Sequence, residues 1–322
     1  MTKKRNVIST FGLIILLVLT VSTCSRAAPV TEVLGKAAAY IKSMQNVDGG
    51  WPLIQGGESD VETTAWAVQT MLSVGEGSGS EKVSKGLSYL VNSQGKDGDW
   101  NENSAHTAFA IIALSEAGLS THEALSIKAL GWLRKKAQNA DGSWSKNVDE
   151  VGNPLYTSVV LTAMKRVHLD IMYTPVPKAI QWLLDNRNSD GGWTIKKGES
   201  SNTLVTAWAI QGLSIAAIDY VYTIEESLNW LKQAQNDDGG FGLTKGQKSD
   251  PELTAYAILA LVAGKDTSTA GYRAVRYLRE VQQKDGSYIS ATPMELNEPT
   301  ANLQTTCFAM WAMVAETISK KK

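Results

Sequence analysis

Two acids, a histidine, a tyrosine and a glutamine stand where this sequence has the material for chemistry. They are Glu62, Glu252, His106, Tyr156 and Gln304, with Asp60 and Thr63 beside Glu62. All fall at the start of alanine-rich apolar blocks: DVETTAWAVQTM from Asp60, NSAHTAFAIIAL from Asn103, NPLYTSVVLTAM from Asn153, NTLVTAWAIQGL from Asn202, DPELTAYAILAL from Asp250 and NLQTTCFAMWAM from Asn302. A carboxylic acid held in a water-poor pocket can act as a general acid. A histidine near a helix start serves either proton transfer or a structural hydrogen bond, and a tyrosine there lines a pocket or simply packs.

The six blocks align without gaps, and the columns separate scaffold from candidate site. The first column is Asp or Asn in all six, the preferred helix N-caps. The fifth is Thr throughout (Thr64, Thr107, Thr157, Thr206, Thr254, Thr306), and the sixth is small, which accounts for Cys307 without chemistry. Columns that never vary serve the repeat. The third and fourth columns do vary: Glu62/Thr63, Ala105/His106, Leu155/Tyr156, Leu204/Val205, Glu252/Leu253 and Gln304/Thr305. Lying in the first turn of each block's helix, these pairs are expected to gather around one mouth, and a ligand is expected there. Glu62 and Glu252 also have a plain structural reading, since an acid in a first turn offsets the helix dipole.

The elements that must position these residues follow from a second repeated motif. It reads QNVDGGW ending at Trp51, GKDGDW at Trp100, QNADGSW at Trp144, RNSDGGW at Trp193, QNDDGGF at Phe241 and QQKDGSY at Tyr288. The steps of 49, 44, 49, 48 and 47 residues give six units, and these fill the chain from Val30 onward. In each unit an amphipathic helix carries an aromatic residue (Tyr40, Tyr89, Trp132, Trp182, Trp230, Tyr277) and ends at Asp-Gly, where glycine accepts the left-handed conformation of a helix stop. The block after the loop is apolar all round, and a helix without a polar face must be buried on all sides. The expected fold is therefore all-α: an (α/α)6 toroid of twelve principal helices, with the alanine-rich helices as inner ring and the amphipathic ones as outer ring. The loops between aromatic and N-cap hold 8, 2, 8, 8, 8 and 13 residues, so the rim is lopsided. Lys146, Lys196, Lys197, Lys245 and Lys248 are expected to be solvated rim charges.

Composition supports one globular domain. The 322 residues are 43% hydrophobic and 20% charged, with 31 Lys+Arg against 32 Asp+Glu, a balance that gives no support to nucleic acid as a partner. The segment 1–27, with Lys3, Lys4 and Arg5 before an apolar run from Phe11 to Val21 and then Ser25-Arg26-Ala27, reads as a cleaved signal peptide, with a lipoprotein at Cys24 as the weaker alternative. Residues 28–322 are then one secreted or extracytoplasmic domain with 27 cations against 32 anions, a net charge of −5. N-terminal sequencing of the mature protein should begin near Ala28, or at a lipidated Cys24. Ser120-Thr121-His122-Glu123 has the form of a capping box, so His122 needs no further role.

Gln, a short gap, Asp-Gly and Trp, repeated at helix ends, resembles the QW repeats of squalene and oxidosqualene cyclases. The helix pairs are similar to those of protein prenyltransferases and of the toroidal domains of complement proteins. The resemblance implies the toroid and a scaffold role for the Gln and Trp that tie one repeat to the next. Squalene-type cyclases carry a D-x-D-D-T-A motif whose middle Asp protonates an alkene. Asp60-Val61-Glu62-Thr63-Thr64-Ala65 overlays it, with Glu62 at the protonating position and Thr63 replacing the second acid; Asp250 to Ala255 is a weaker echo. The resemblance thus implies Glu62, with Asp60, as the catalytic pair. His106, Tyr156, Glu252, Gln304 and Thr63 are then ligand contacts, and cations would rest on Trp66, Phe109, Trp208, Tyr256 or Phe308 where these face the cavity. The prenyltransferase zinc pattern, Asp-x-Cys with a distant His, does not occur, so neither a metal nor another cofactor is expected. Two functions stay open. One is a terpene-cyclase-like isomerase acting on an apolar isoprenoid, with peripheral membrane contact open to it. The other is a secreted non-catalytic binding module for a lipid, glycan or protein. Against the first, cyclases of this type pair two toroids around the pocket, and this chain has the repeats of one.

Overall fold

The computed structural model describes residues 28–118, 124–169, 175–291, 296 and 298–320. The signal-peptide reading of residues 1–27 and the capping box at 120–123 lie outside the described residues. Among the described residues, twelve α-helices alternate between two rings. The outer ring is α1 (Val30–Ser43), α3 (Glu81–Asn92), α5 (Ala124–Trp132), α7 (Pro175–Asp185), α9 (Val221–Gln233) and α11 (Ala270–Val281). The inner ring is α2 (Val61–Ser73), α4 (Ser104–Glu116), α6 (Pro154–Arg166), α8 (Thr203–Leu213), α10 (Pro251–Ala263) and α12 (Leu303–Ser319). Each inner helix packs on its two ring neighbours, and α12 packs back on α2, so the ring closes as expected.

The invariant columns do the structural work assigned to them. All six first-column residues cap their helices through the side chain; Asp60 accepts from the N–H groups of Glu62 and Thr63, and Asn202 from that of Val205. All six threonine hydroxyls accept from the N–H of their own repeat's loop aromatic, at 2.9–3.1 Å. The indole N–H of Trp51, Trp100, Trp144 and Trp193 donates to a carbonyl near the end of the preceding outer helix. The Gln column ties repeat to repeat. Gln45 donates to Gly49 of its own loop and to Lys82 of the next outer helix, and Gln282 closes the circle by donating to Gly286 and to Val33 of the first repeat. Arg187 makes the same bridge in the fourth repeat.

Two local departures have physical causes. Trp132 precedes its glutamine by six residues rather than five, and the outer helix absorbs the extra residue as a π-helical turn, Leu133–Ala137. In the long sixth loop, β1 (Tyr288–Ser290) pairs antiparallel with β2 (Thr300–Asn302). At the far end of the ring, the Arg166 guanidinium of α6 lies 4.5 Å from the Trp311 ring of α12, which belongs to the opposite repeat. Arg166 also pairs with Glu116, so a charge-stabilised contact crosses the axis there.

Capping gives a direct test. Asp60→Asn should leave the melting temperature nearly unchanged, because Asn caps about as well as Asp, and Asp60→Ala should cost about 0.5–2 kcal/mol in denaturant unfolding. Loss of an activity in Asp60→Asn at constant melting temperature would move Asp60 from scaffold to chemistry.

Candidate functional site at the mouth of the inner ring

The N-terminal turns of the inner helices converge on a cavity of about 430 Å³. Its wall includes every residue singled out from the sequence: Asp60, Glu62, Thr63, His106, Tyr156, Glu252 and Gln304. The varying columns therefore do share one mouth. Below them the seventh column forms the floor. Trp66, Phe109, Trp208, Tyr256 and Phe308 make a closed cycle of ring contacts with centroids 4.7–5.9 Å apart, mostly edge to face. The third repeat supplies Val159 at that level.

Glu62 and His106 face each other across the first two repeats, with Oε2 3.5 Å from Nε2. Their side chains are 23% and 14% exposed. Asn101 lies 3.1 Å from His106 Nδ1 and fixes the ring from behind. Burial pulls the His106 pKa down, but the hydrogen bond and charge of Glu62 and the charge of Asp60 outweigh it, and Lys146 opposes them weakly; the net effect is upward. A proton donor of the motif's kind works best away from cations. The structure instead sets an imidazole within contact of Glu62 and brings Lys146 to the cavity wall.

A raised histidine pKa stabilises the fold most at low pH. The contribution is complete below the unfolded value of about 6.5 and is lost as pH rises through the higher folded value. The difference in melting temperature between wild type and Glu62→Gln should therefore be larger at about pH 5.5 than at about pH 8.5. A difference independent of pH would show that the pair is not coupled.

Glu252 differs from Glu62 in depth. It is fully buried, and three donors converge on it: the Tyr256 hydroxyl at 2.8 Å and Gln304 Nε2 at 2.9 Å on Oε1, and the Thr305 hydroxyl at 2.7 Å on Oε2. This is more than a first-turn acid facing a helix dipole. Burial first, and then the Glu252 charge, push the Tyr256 phenol well above its ordinary pKa. Thr63 reaches the wall, but its hydroxyl donates to Trp51 O at 2.5 Å and Asp60 O at 3.2 Å, so its polar end is committed to the scaffold.

Column reasoning missed Leu53 and Lys146, both on the cavity wall. Lys146 is thus part of the mouth and not only a solvated rim charge. Both residues lie two positions after a repeat aromatic, and that shared offset was the available signal. Their carbonyls accept from the first N–H of the preceding repeat's inner helix, Leu303 and Ser104 respectively; Leu243 does the same for Thr203. The second loop has only two residues, Asn101 and Glu102, both at positive φ.

Comparison with known proteins agrees with this architecture. The family model of the squalene-hopene cyclase C-terminal domain matches residues 12–108, 106–217 and 200–295. Drimenyl diphosphate synthase of Streptomyces showdoensis is 28% identical over 176 residues, 51% of this chain and 32% of that protein. Squalene–hopene cyclase of Zymomonas mobilis is 38% identical over 79 residues, 21% of this chain and 12% of that one. The chain thus spans about a third or less of the curated relatives it matches. Among solved structures, the type II terpene cyclase MstE from Scytonema superposes with a TM-score of 0.72 at 14% identity, over 90% of this chain and 98% of that one. Variants of MstE are known with geranylgeranyl dihydroxybenzoate as substrate and merosterolic acid A as product. The fold of that chain is thus matched almost whole by this single toroid. With the same domain recognised three times in succession along most of its length, the chain belongs to the squalene-hopene cyclase C-terminal domain family.

Proposed function

We propose that this protein takes up a linear, apolar isoprenoid at the mouth of the inner ring and isomerises it by protonation, in the manner of a type II terpene cyclase. The observation that carries the reading is the Glu62–His106 pair set in the wall of a cavity with a five-membered aromatic floor. The cavity volume of about 430 Å³ is that of a small-molecule site. In the proposed step the Glu62 carboxylic O–H breaks as a new C–H bond forms on a ligand alkene. The resulting carbocation is attacked by an internal alkene π pair, and loss of a proton to water completes a net isomerisation. His106, with its raised pKa, stabilises the Glu62 carboxylate left behind and returns a proton to it. The ring faces below offer the cation a favourable electrostatic surface.

A second reading has its own support. Thr63 stands where the motif has its second acid and spends its hydroxyl on the scaffold, and Glu62 is partly exposed beside a basic group. Those features suit a binding module that holds an isoprenoid without turning it over. The deciding experiment incubates purified protein with farnesol, geranylgeraniol and squalene, followed by mass-resolved chromatography. Products of unchanged mass and new retention support the cyclase. Bound but unaltered ligand supports the module, and no binding of any of the three removes the isoprenoid site itself.

A further inference from the structure

The loops around the mouth expose more apolar surface than a solvated rim needs. They run from each repeat's aromatic to the N-cap of its inner helix: loop 1 over 52–59, loop 2 over 101–102, loop 3 over 145–152, loop 4 over 194–201, loop 5 over 242–249 and loop 6 over 289–301. Each except the two-residue loop 2 presents a large hydrophobic side chain to solvent: Ile54, Val151, Ile195, Leu243 and Ile289, 40–91% exposed. Apolar side chains grouped on one face mark a contact surface, whereas single scattered ones do not. Charge on the same face is divided. Loops 4 and 5 expose Lys196, Lys197, Lys245 and Lys248 against a single acid, Glu199. Loops 1 and 2 expose Glu58 and Glu102 and hold no cation. Among the described residues none of these seven side chains forms an ion pair within the chain. Closure of the ring sets repeats 4 and 5 opposite repeats 1 and 2, so the mouth has a cationic side and an anionic side. An anionic bilayer would be repelled by one of the two sides. A face of this kind is instead complementary to itself, and complementary charge selects partner and register.

We propose that two copies of this chain dock mouth to mouth about a two-fold axis lying in the plane of the mouth, with loops 4 and 5 of each copy over loops 2 and 1 of the other. A two-fold contact uses the same patch on both copies, so every pairing occurs twice. Lys196 and Lys197 then meet Glu102 of the other copy, and Lys245 and Lys248 meet its Glu58. Loop 3, where Lys146 stands near Asp149 and Glu150, and loop 6, with exposed Glu298, meet their own copies on the axis. The exposed apolar side chains are covered between the two rims. The two cavities face each other and become one chamber, in which Glu62 and His106 are shielded from bulk water. This goes beyond the isoprenoid reading, because closure of the mouth does not depend on which ligand it holds.

Sedimentation equilibrium of the purified chain, without ligand, tests the pairing. Wild type should be a dimer at about 0.1 M salt and associate more weakly at about 1 M, as the screening length falls from about 10 Å to about 3 Å. Lys196→Glu/Lys245→Glu/Lys248→Glu makes both sides of the mouth acidic, and Glu58→Lys/Glu102→Lys makes both sides basic. Each variant alone should be monomeric, and an equal mixture of the two should recover a dimer. Recovery on mixing also shows that both variants are folded. A wild-type monomer at high micromolar concentration overturns the proposal, as does a dimer that persists in either variant alone. So does a mixture that stays monomeric while both variants keep the wild-type circular dichroism. Should a variant fail to fold, the wild-type salt series decides: a dimer no weaker at high salt rejects charge pairing. Co-sedimentation with phosphatidylglycerol vesicles addresses the other occupant. A chain that remains monomeric and pellets with the vesicles assigns this face to a membrane and rejects the second copy.

Discussion

Glu62→Gln should lower the rate at which a linear isoprenoid is cyclised by roughly 10²–10⁴-fold, the range that general acids contribute, while the ligand still binds. The amide keeps the shape of the carboxyl and removes its transferable proton. His106 remains beside it at the 3.5 Å geometry. The expected signature is a collapse of kcat with little change in KM, since the substitution removes the acid the chemistry needs and leaves the apolar floor that contacts the ligand intact. His106→Ala should give a smaller loss with a displaced pH profile, because it removes the group that recharges Glu62 but not the donor. An unaltered rate in Glu62→Gln would transfer the proton-donor role elsewhere on the wall.

Legibility from sequence divided along the columns. The ring, its two layers and the caps were readable because six copies of one pattern make invariance visible inside a single chain, and the structure places the threonine column in the same hydrogen bond six times. The gathering of Glu62, His106, Tyr156, Glu252 and Gln304 was readable for the complementary reason: they break a pattern at a position that geometry sends to one mouth. What escaped were contacts between columns. The burial of Glu252 depends on Gln304 and Thr305 of the next repeat, and no inspection of its own block reveals that these side chains turn toward it. Lys146 escaped because it lies in a loop, where the charges of one repeat resemble those of any solvated rim. The π turn before Gln138 was visible only as one extra residue, and its conformation was not.

The ring's closure makes a strong prediction about Trp193. It is fully buried; its indole N–H donates to Leu183 O at 2.8 Å, its backbone N–H to Thr206, and Arg187 lies over its ring at 5.4 Å. Trp193→Ala should cost about 3–5 kcal/mol in urea unfolding, by loss of apolar contact and creation of a cavity. Trp193→Phe should cost about 1–3 kcal/mol, because the ring is retained and the indole's hydrogen bond and outer volume are lost. The chain supplies its own control: Phe241 occupies the equivalent place in the fifth repeat, also fully buried, with the same threonine bond to its backbone. An open repeat array unfolds unit by unit from its weakest point. A toroid in which Gln282 bonds to Val33 and α12 packs on α2 has no free end from which to fray. Trp193→Ala should accordingly shift one cooperative transition to lower urea without changing its slope. A second transition, or a reduced slope, would mean that the fourth repeat can leave while the others stay, and that the seam bonds do not couple the ring into one folding unit.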